Sequence, residues 1–377
     1  MRKPRVLLIE NSRAVTGALV SAVRSSSQLS HRFHIEFVLP SGSKASSYVQ
    51  QHGLMVHHLP MVELQKSAPS LLAYIPMLIA NTVRLGKLIK SKQIDLLVVN
   101  DFYNLLPATY RFFGGKVPLL CYVRFLPSKF PSGLVRIWCR WQYRHSYGIV
   151  AVSQAVKSEL KPDEKIVVIG NELPVEETPY TLANSKTILY MANFIAGKGQ
   201  QYALGSFARL VRDFPDWTLR FVGGDMGLQK NKVFKTMLMT EAKVLGVEKN
   251  IEWSDFESDP KAEFLSCRFS LNFSDSESFS MTILESMFYG RPVIATRSGG
   301  PQEIVDDGIT GLLVQAGDVN EMESAMRKIM DPAFALDRMS AAAFESVRRK
   351  FDRSNTVDRL GNLYQAALDA KLNSNNR

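Results

Sequence analysis

The sequence predicts an α/β protein made of two doubly wound, Rossmann-like lobes in tandem, and three observations carry the prediction. At 377 residues the chain is longer than a single hydrophobic core usually serves. Short β-branched runs alternate with amphipathic helical stretches, the pattern of parallel βαβ units. The alternation stops once, over residues 173–184, where LPVEETPYTLAN has two prolines, several polar turn formers and no periodicity, and then restarts.

In the first lobe, residues 1–172, the strand-like runs are RVLLIE, HIEFVLP, LMVHHL, IDLLVVN, PLLCYV, GIVAV and KIVVI, with helical patterns between most of them. In the second, residues 185–353, they are TILYMA, TLRFVGG, NIEW, FSLNF, PVIAT and GLLV, with a helix starting near Gln200. Ligands of such sheets bind beyond the carboxyl ends of the strands, so chemistry is expected in the strand-to-helix loops.

Composition narrows the function classes. Three cysteines, Cys121, Cys139 and Cys267, at unrelated spacings suit a reducing compartment and no metal cluster. The apolar run in MRKPRVLLIE is too short for a signal peptide, and Leu71 to Ala80 is about half of a bilayer-spanning helix, so a soluble cytoplasmic protein is expected. The net charge of +10 is unevenly placed: residues 1–172 carry 22 Lys and Arg against 9 Asp and Glu, and residues 173–377 carry 24 against 27. A one-sided basic lobe suits an anionic membrane or a phosphorylated substrate. No zinc-finger or RNP sequence supports nucleic acid as the partner.

The most informative stretch is FSDSESFSMTILESMFYGRPVIATRSGGPQEIV, residues 273–305. Ser280 reads as an N-cap, Met281 to Tyr289 as a helix, and Gly290 as the residue that ends it. Ile283, Leu284, Met287 and Phe288 would face the core, leaving Thr282 and Glu285 on the cleft side, with Glu277 in the loop ahead. The free N–H groups of Ser280, Met281 and Thr282 at a helix start form an anion site suited to a diphosphate.

That stretch resembles the donor site of GT-B-fold glycosyltransferases, specifically glycosyltransferase family 4, a retaining family marked by two glutamates with seven residues between them. Further likeness lies in ILYMANFIAGKGQQYALGSFARL, in IVAVSQAVKSELK with KIVVIGNELP, and in FDRSNTVDRLGNLYQAALDA. The last resembles a helix that crosses back onto the first lobe, here residues 354–377. By this resemblance the ligand cleft lies between the lobes. Lys198 would bind the donor diphosphate, Glu285 the ribose hydroxyls and Glu277 the transferred sugar, while Gly299, Gly300 and Glu303 would line the adjoining loop.

Some positions depart from the family pattern. Where an arginine is common after the first strand of the second lobe, this chain has Asn193, which can donate hydrogen bonds but no charge. Gly17 alone stands where a glycine pair is usual. Arg124 occupies a position often held by histidine and is the candidate to replace the missing charge. Arg136, Arg140 and Arg144 recur at helical spacing among Trp138, Trp141 and Tyr143. Arg84, Lys87, Lys90 and Lys92 end another amphipathic stretch, so reversible contact with an anionic membrane is expected.

The resemblance implies transfer from a nucleotide sugar, a UDP-sugar, to a glycan or lipid-linked acceptor of surface polysaccharide or lipopolysaccharide synthesis, at the cytoplasmic face of a membrane. No Asp-x-Asp motif is present, so no metal or other cofactor is expected. Two rivals share the residues: a nucleotide-sugar 2-epimerase of the same fold, and a partner subunit that binds donor without catalysis.

Overall fold

The computed structural model of the chain describes residues 2–61, 68–173, 184–255, 260–352 and 354–375; most of the linker expected at 173–184 lies outside them. The chain forms two compact units, Met1–Glu172 with Arg353–Arg377, and Leu173–Asp352.

The first unit holds a parallel sheet of seven strands: β1 Arg5–Ile9, β2 His34–Pro40, β3 Met55–Leu59, β4 Leu96–Val99, β5 Leu119–Val123, β6 Gly148–Ala151 and β7 Ile166–Val168. Their order is β3-β2-β1-β4-β5-β6-β7, with Val6 opposite both Ile35 and Leu96. Helices cover the sheet, so its central strands read as near-continuous apolar runs; Leu7, Val98 and Leu120 have no exposed surface. The helix Arg359–Asn375 packs against β4 and β5, and its Tyr364 meets Phe33 edge-on at 5.5 Å.

The second unit holds six parallel strands: β8 Thr187–Met191, β9 Thr218–Val222, β10 Ile251–Ser254, β11 Phe269–Asn272, β12 Val293–Thr296 and β13 Gly311–Val314. Their order is β10-β9-β8-β11-β12-β13. Strand order reverses between β1 and β4 in one sheet and between β8 and β11 in the other; at such points the loops diverge and leave room for a ligand. The second core is aromatic, with Tyr190, Phe207, Phe221 and Phe269 buried, and Trp253 stacked on Phe221 at 4.9 Å. Among the described residues no helix is long and apolar enough to cross a membrane.

Candidate active site

At the β8–β11 switch point two loops meet. Asp275 N–H donates to Gly197 O at 2.9 Å, which brings the loop after β11 against the loop after β8. There Lys198 Nζ lies 2.6 Å from Glu277 Oε1, and Ser274 Oγ donates to the same oxygen at 2.8 Å. Beneath them the Tyr190 hydroxyl donates to Lys198 O and accepts from Phe273 N–H at 2.8 Å. Burial pushes the Tyr190 phenol well above its ordinary range, so it keeps the proton it donates. Gly199 has φ +81°, and a Cβ there would stand 2.0 Å from Phe273 O, so only glycine permits this approach.

Glu277 is held from its other side too. Its N–H donates to Ser298 O at 2.9 Å, and Gly300 N–H donates to Glu277 O at 2.8 Å, which makes a short parallel bridge with Gly299. A Cβ on Gly300 would stand 2.3 Å from Phe279 Cα. The SGG turn therefore braces the loop that carries Glu277. Glu303 lies half-buried in the short helix Pro301–Ile304, its N–H bonded to Gly300 O at 3.0 Å.

The helix Met281–Phe288 begins as its sequence predicts. Ser280 Oγ accepts from Ile283 N–H at 3.5 Å and from Asn272 Nδ2 at 3.0 Å. Asn272 Nδ2 also reaches Thr282 Oγ1 at 3.4 Å. Ser280 sits at φ +90°, a strained backbone for a residue with a Cβ, and it starts the turn whose Met281 and Thr282 amides open the helix. Ile283, Leu284, Met287 and Phe288 are buried, and Gly290 follows at φ +72°. Glu285 is only 5% exposed, one turn below Thr282 in a helix embedded on nearly every side.

Asn193 is engaged with neighbouring loops. Its Oδ1 accepts from Gly224 N–H at 3.1 Å and its carbonyl from Gln200 Nε2 at 2.9 Å. It ties the loops after β8 and β9 together and stands as no charge partner to Lys198.

In the first unit, Arg124, the candidate for the missing charge, is 6% exposed and held by neighbouring side chains. Its Nε donates to Asn100 Oδ1 at 2.6 Å, and its Nη1 to Asn171 Oδ1 at 2.9 Å and Ser21 Oγ at 3.2 Å. The guanidinium lies 4.4 Å from the Tyr122 ring centroid. It organises the carboxyl ends of β4, β5 and β7 from inside. Nearby, burial pushes the Asp101 carboxyl well above its ordinary range. Gly17 opens the helix Gly17–Leu29 behind the cap Thr16. Arg136, Arg140 and Arg144 are all exposed on the helix Ser132–His145, but Trp138 is buried under them and does not interleave with the stripe.

Sequence reasoning missed Ser274, Tyr190 and the glycines beside Lys198. The AGKG spacing and the serine three residues before Glu277 were the available signals.

Comparison with known proteins fits this geometry. Residues 15–176 match the description "Glycosyltransferase Family 4" and residues 176–346 match "Glycosyl transferases group 1", so the two matches abut and cover every strand of the two sheets after β1. The chain belongs to these glycosyltransferases. Among relatives of the family, the lipopolysaccharide core biosynthesis glycosyltransferase LpsE of Rhizobium meliloti (strain 1021) is 28% identical over 203 residues, 54% of this chain and 56% of LpsE. The D-inositol 3-phosphate glycosyltransferase of Corynebacterium glutamicum (strain R) is 29% identical over 216 residues, 55% of this chain and 50% of that protein. The chain thus spans about half the length of these curated relatives. In fold, this glycosyltransferase is similar to Anabaena HepE, solved in complex with UDP and glucose: TM-score 0.80, 19% identity, 97% of this chain and 99% of HepE covered. Both are GT-B architectures of two Rossmann-like domains.

Proposed function

We propose that the chain moves a sugar from a UDP-sugar to a glycan or lipid-linked acceptor of surface polysaccharide or lipopolysaccharide synthesis, with retention at the anomeric carbon and without a metal. The observation that carries the reading is the Lys198–Glu277–Ser274 cluster beside the capped start of the helix Met281–Phe288. When the glycosidic C–O bond breaks, its electron pair leaves on the diphosphate, and Lys198 with the Met281 and Thr282 amides meets that charge. Glu277 faces the sugar and Glu285 serves the ribose. The UDP complexes of the similar Anabaena fold support the base, and the lipopolysaccharide relative supports the acceptor class. The first unit takes the acceptor, at the cytoplasmic face of a membrane.

A panel of nucleotide sugars with glycan and lipid-linked acceptors, run with chelator and followed by anomeric analysis of the product, tests this directly. Turnover with a UDP-sugar and a retained product is expected. A free epimerised sugar without acceptor would assign an isomerase, and nucleotide binding without turnover a partner subunit. Glu285→Gln should weaken free UDP roughly tenfold, about 1.4 kcal/mol, whereas Glu277→Gln should spare UDP and lower turnover. Equal weakening of UDP by both changes would undo this division of roles.

A further inference from the structure

Three helices of the first unit, Ala68–Lys92, Leu106–Phe112 and Ser132–His145, pack in succession. Gly86 of the first lies against Tyr110 of the second, where a Cβ would stand 3.7 Å from the ring. Phe112 at the end of the second meets Trp141 of the third, with ring centroids 5.0 Å apart. The surface they share carries large apolar side chains in water. Ile75, Ile79 and Val83 recur every four residues and are all at least half exposed. By helical spacing, Ile75 and Ile79 share the face that Gly86 turns to the second helix. Phe113, just beyond that helix, is 63% exposed, and Leu134 and Ile137 are exposed on the stripe that leads to Trp141.

The charge of this surface is of one sign. Residues 68–92, 106–116 and 127–147 contain no Asp or Glu. Around the apolar ridge, Arg84, Lys87 and Lys90 are exposed on the first helix and Arg136, Arg140 and Arg144 on the third. Single apolar residues scattered on a surface mean little, but a run of them rimmed by one charge marks a docking site. A second copy of the chain would set this positive rim against itself. An anionic bilayer offers hydrocarbon to the ridge and phosphate to the rim.

We propose that this three-helix face docks on an anionic membrane by inserting Ile79, Phe113 and Ile137, with their neighbours, among the acyl chains. The basic rim draws the chain to the surface, and the apolar ridge holds it there. Salt should therefore weaken the attachment without abolishing it. The inference goes beyond the donor assignment and does not depend on it.

The test uses the full chain with vesicles of phosphatidylglycerol and phosphatidylcholine, against vesicles of phosphatidylcholine alone. Sedimentation with the anionic vesicles is expected at low salt and, in part, at high salt. The Phe113→Trp chain should gain emission that shifts to the blue and is quenched by brominated acyl chains. Combined Ile79→Ser, Phe113→Ser and Ile137→Ser should lower partitioning at least tenfold while leaving UDP binding unchanged. Three results would each overturn the proposal. The wild type could fail to sediment at low salt, or the added emission could stay unquenched in chains that do sediment, or the chain could be a lipid-free dimer that the triple substitution makes monomeric. Nucleotide is absent from the sedimentation assay, so failure of the donor assignment leaves these readouts unchanged.

Discussion

Lys198 and Glu277 are each other's partner at 2.6 Å, so neither substitution can be read alone. Removing Lys198 takes a cation from the diphosphate and also strands the Glu277 carboxylate. Lys198→Ala should cost on the order of a hundredfold in turnover, with folding intact because the side chain is a third exposed. The double change to Ala and Gln should cost less than the product of the single losses, because each alone leaves a partner behind. Strict multiplicativity in kcat/KM would mean that the pair acts as two separate groups. Lys198 was legible in the sequence only because the strand, loop and helix of ILYMANFIAGKGQQYALGSFARL resemble the family's donor lobe; a loop lysine alone says little. Arg124 was less legible. Its acceptors Asn100 and Asn171 lie 24 and 47 residues away, and no local pattern announces that three loops close over it. The same buried cluster holds Glu172, whose carboxyl is pushed up to about 7 by burial, against the opposing pull of Arg24 and Arg124. In the unfolded chain it titrates near its ordinary 4.5. Folding therefore favours the protonated form, and stability falls as pH rises from about 4.5 to about 7 and stays reduced above. Glu172→Gln removes that loss and should gain roughly 3 kcal/mol over the wild type at pH 8, with little difference at pH 4. Parallel stability curves across that range, from denaturant melts, would contradict the assignment.

At the scale of elements, strands were the most legible feature and loop approaches the least. Parallel sheets covered on both faces demand continuous apolar runs, and each of the thirteen strands of the two sheets falls on a run that the sequence announces. The helix Met281–Phe288 was equally plain, since a serine cap and a terminal glycine bracket an apolar periodicity. What the sequence does not show is that Gly300 must pass against the Phe279 backbone, or that Ser280 takes φ +90°. Such contacts belong to tertiary packing and leave no periodic trace. The Ser280 geometry has a measurable consequence. Ser280→Ala loses the cap and keeps the strained Cβ, so it should cost about 1–2 kcal/mol. Ser280→Gly loses the same cap but relieves the strain, so its melting temperature should lie between those of Ser280→Ala and the wild type. A glycine variant less stable than the alanine one would mean that the strain is not felt.

The whole molecule is threaded so that the second unit is inserted into the first: residues up to 172 and from 353 onward belong to one core, and those between to the other. Each unit carries two tryptophans, Trp138 and Trp141 in the first and Trp217 and Trp253 in the second, so both can be followed in one chain. The helix Arg359–Asn375 completes the first core, where Tyr364 is 2% exposed against Phe33. Tyr364→Ala should therefore cost the first unit about 3–5 kcal/mol, the usual loss for a large buried aromatic. The donor assignment places UDP in the second unit, so the nucleotide should raise that unit's transition alone, by about 2.7 kcal/mol at a hundred times its Kd. Calorimetry should accordingly resolve two transitions in the Tyr364→Ala chain, the lower one insensitive to UDP and the upper one shifted by it. UDP affinity at a temperature below both transitions should match the wild type, because Lys198, Met281, Thr282 and Glu285, the residues proposed to hold the donor, lie in the second unit. If UDP raised the lower transition as much as the upper, nucleotide contacts would have to include the first unit. A single transition moved by both the substitution and the nucleotide would overturn the prediction and show that the two cores unfold as one.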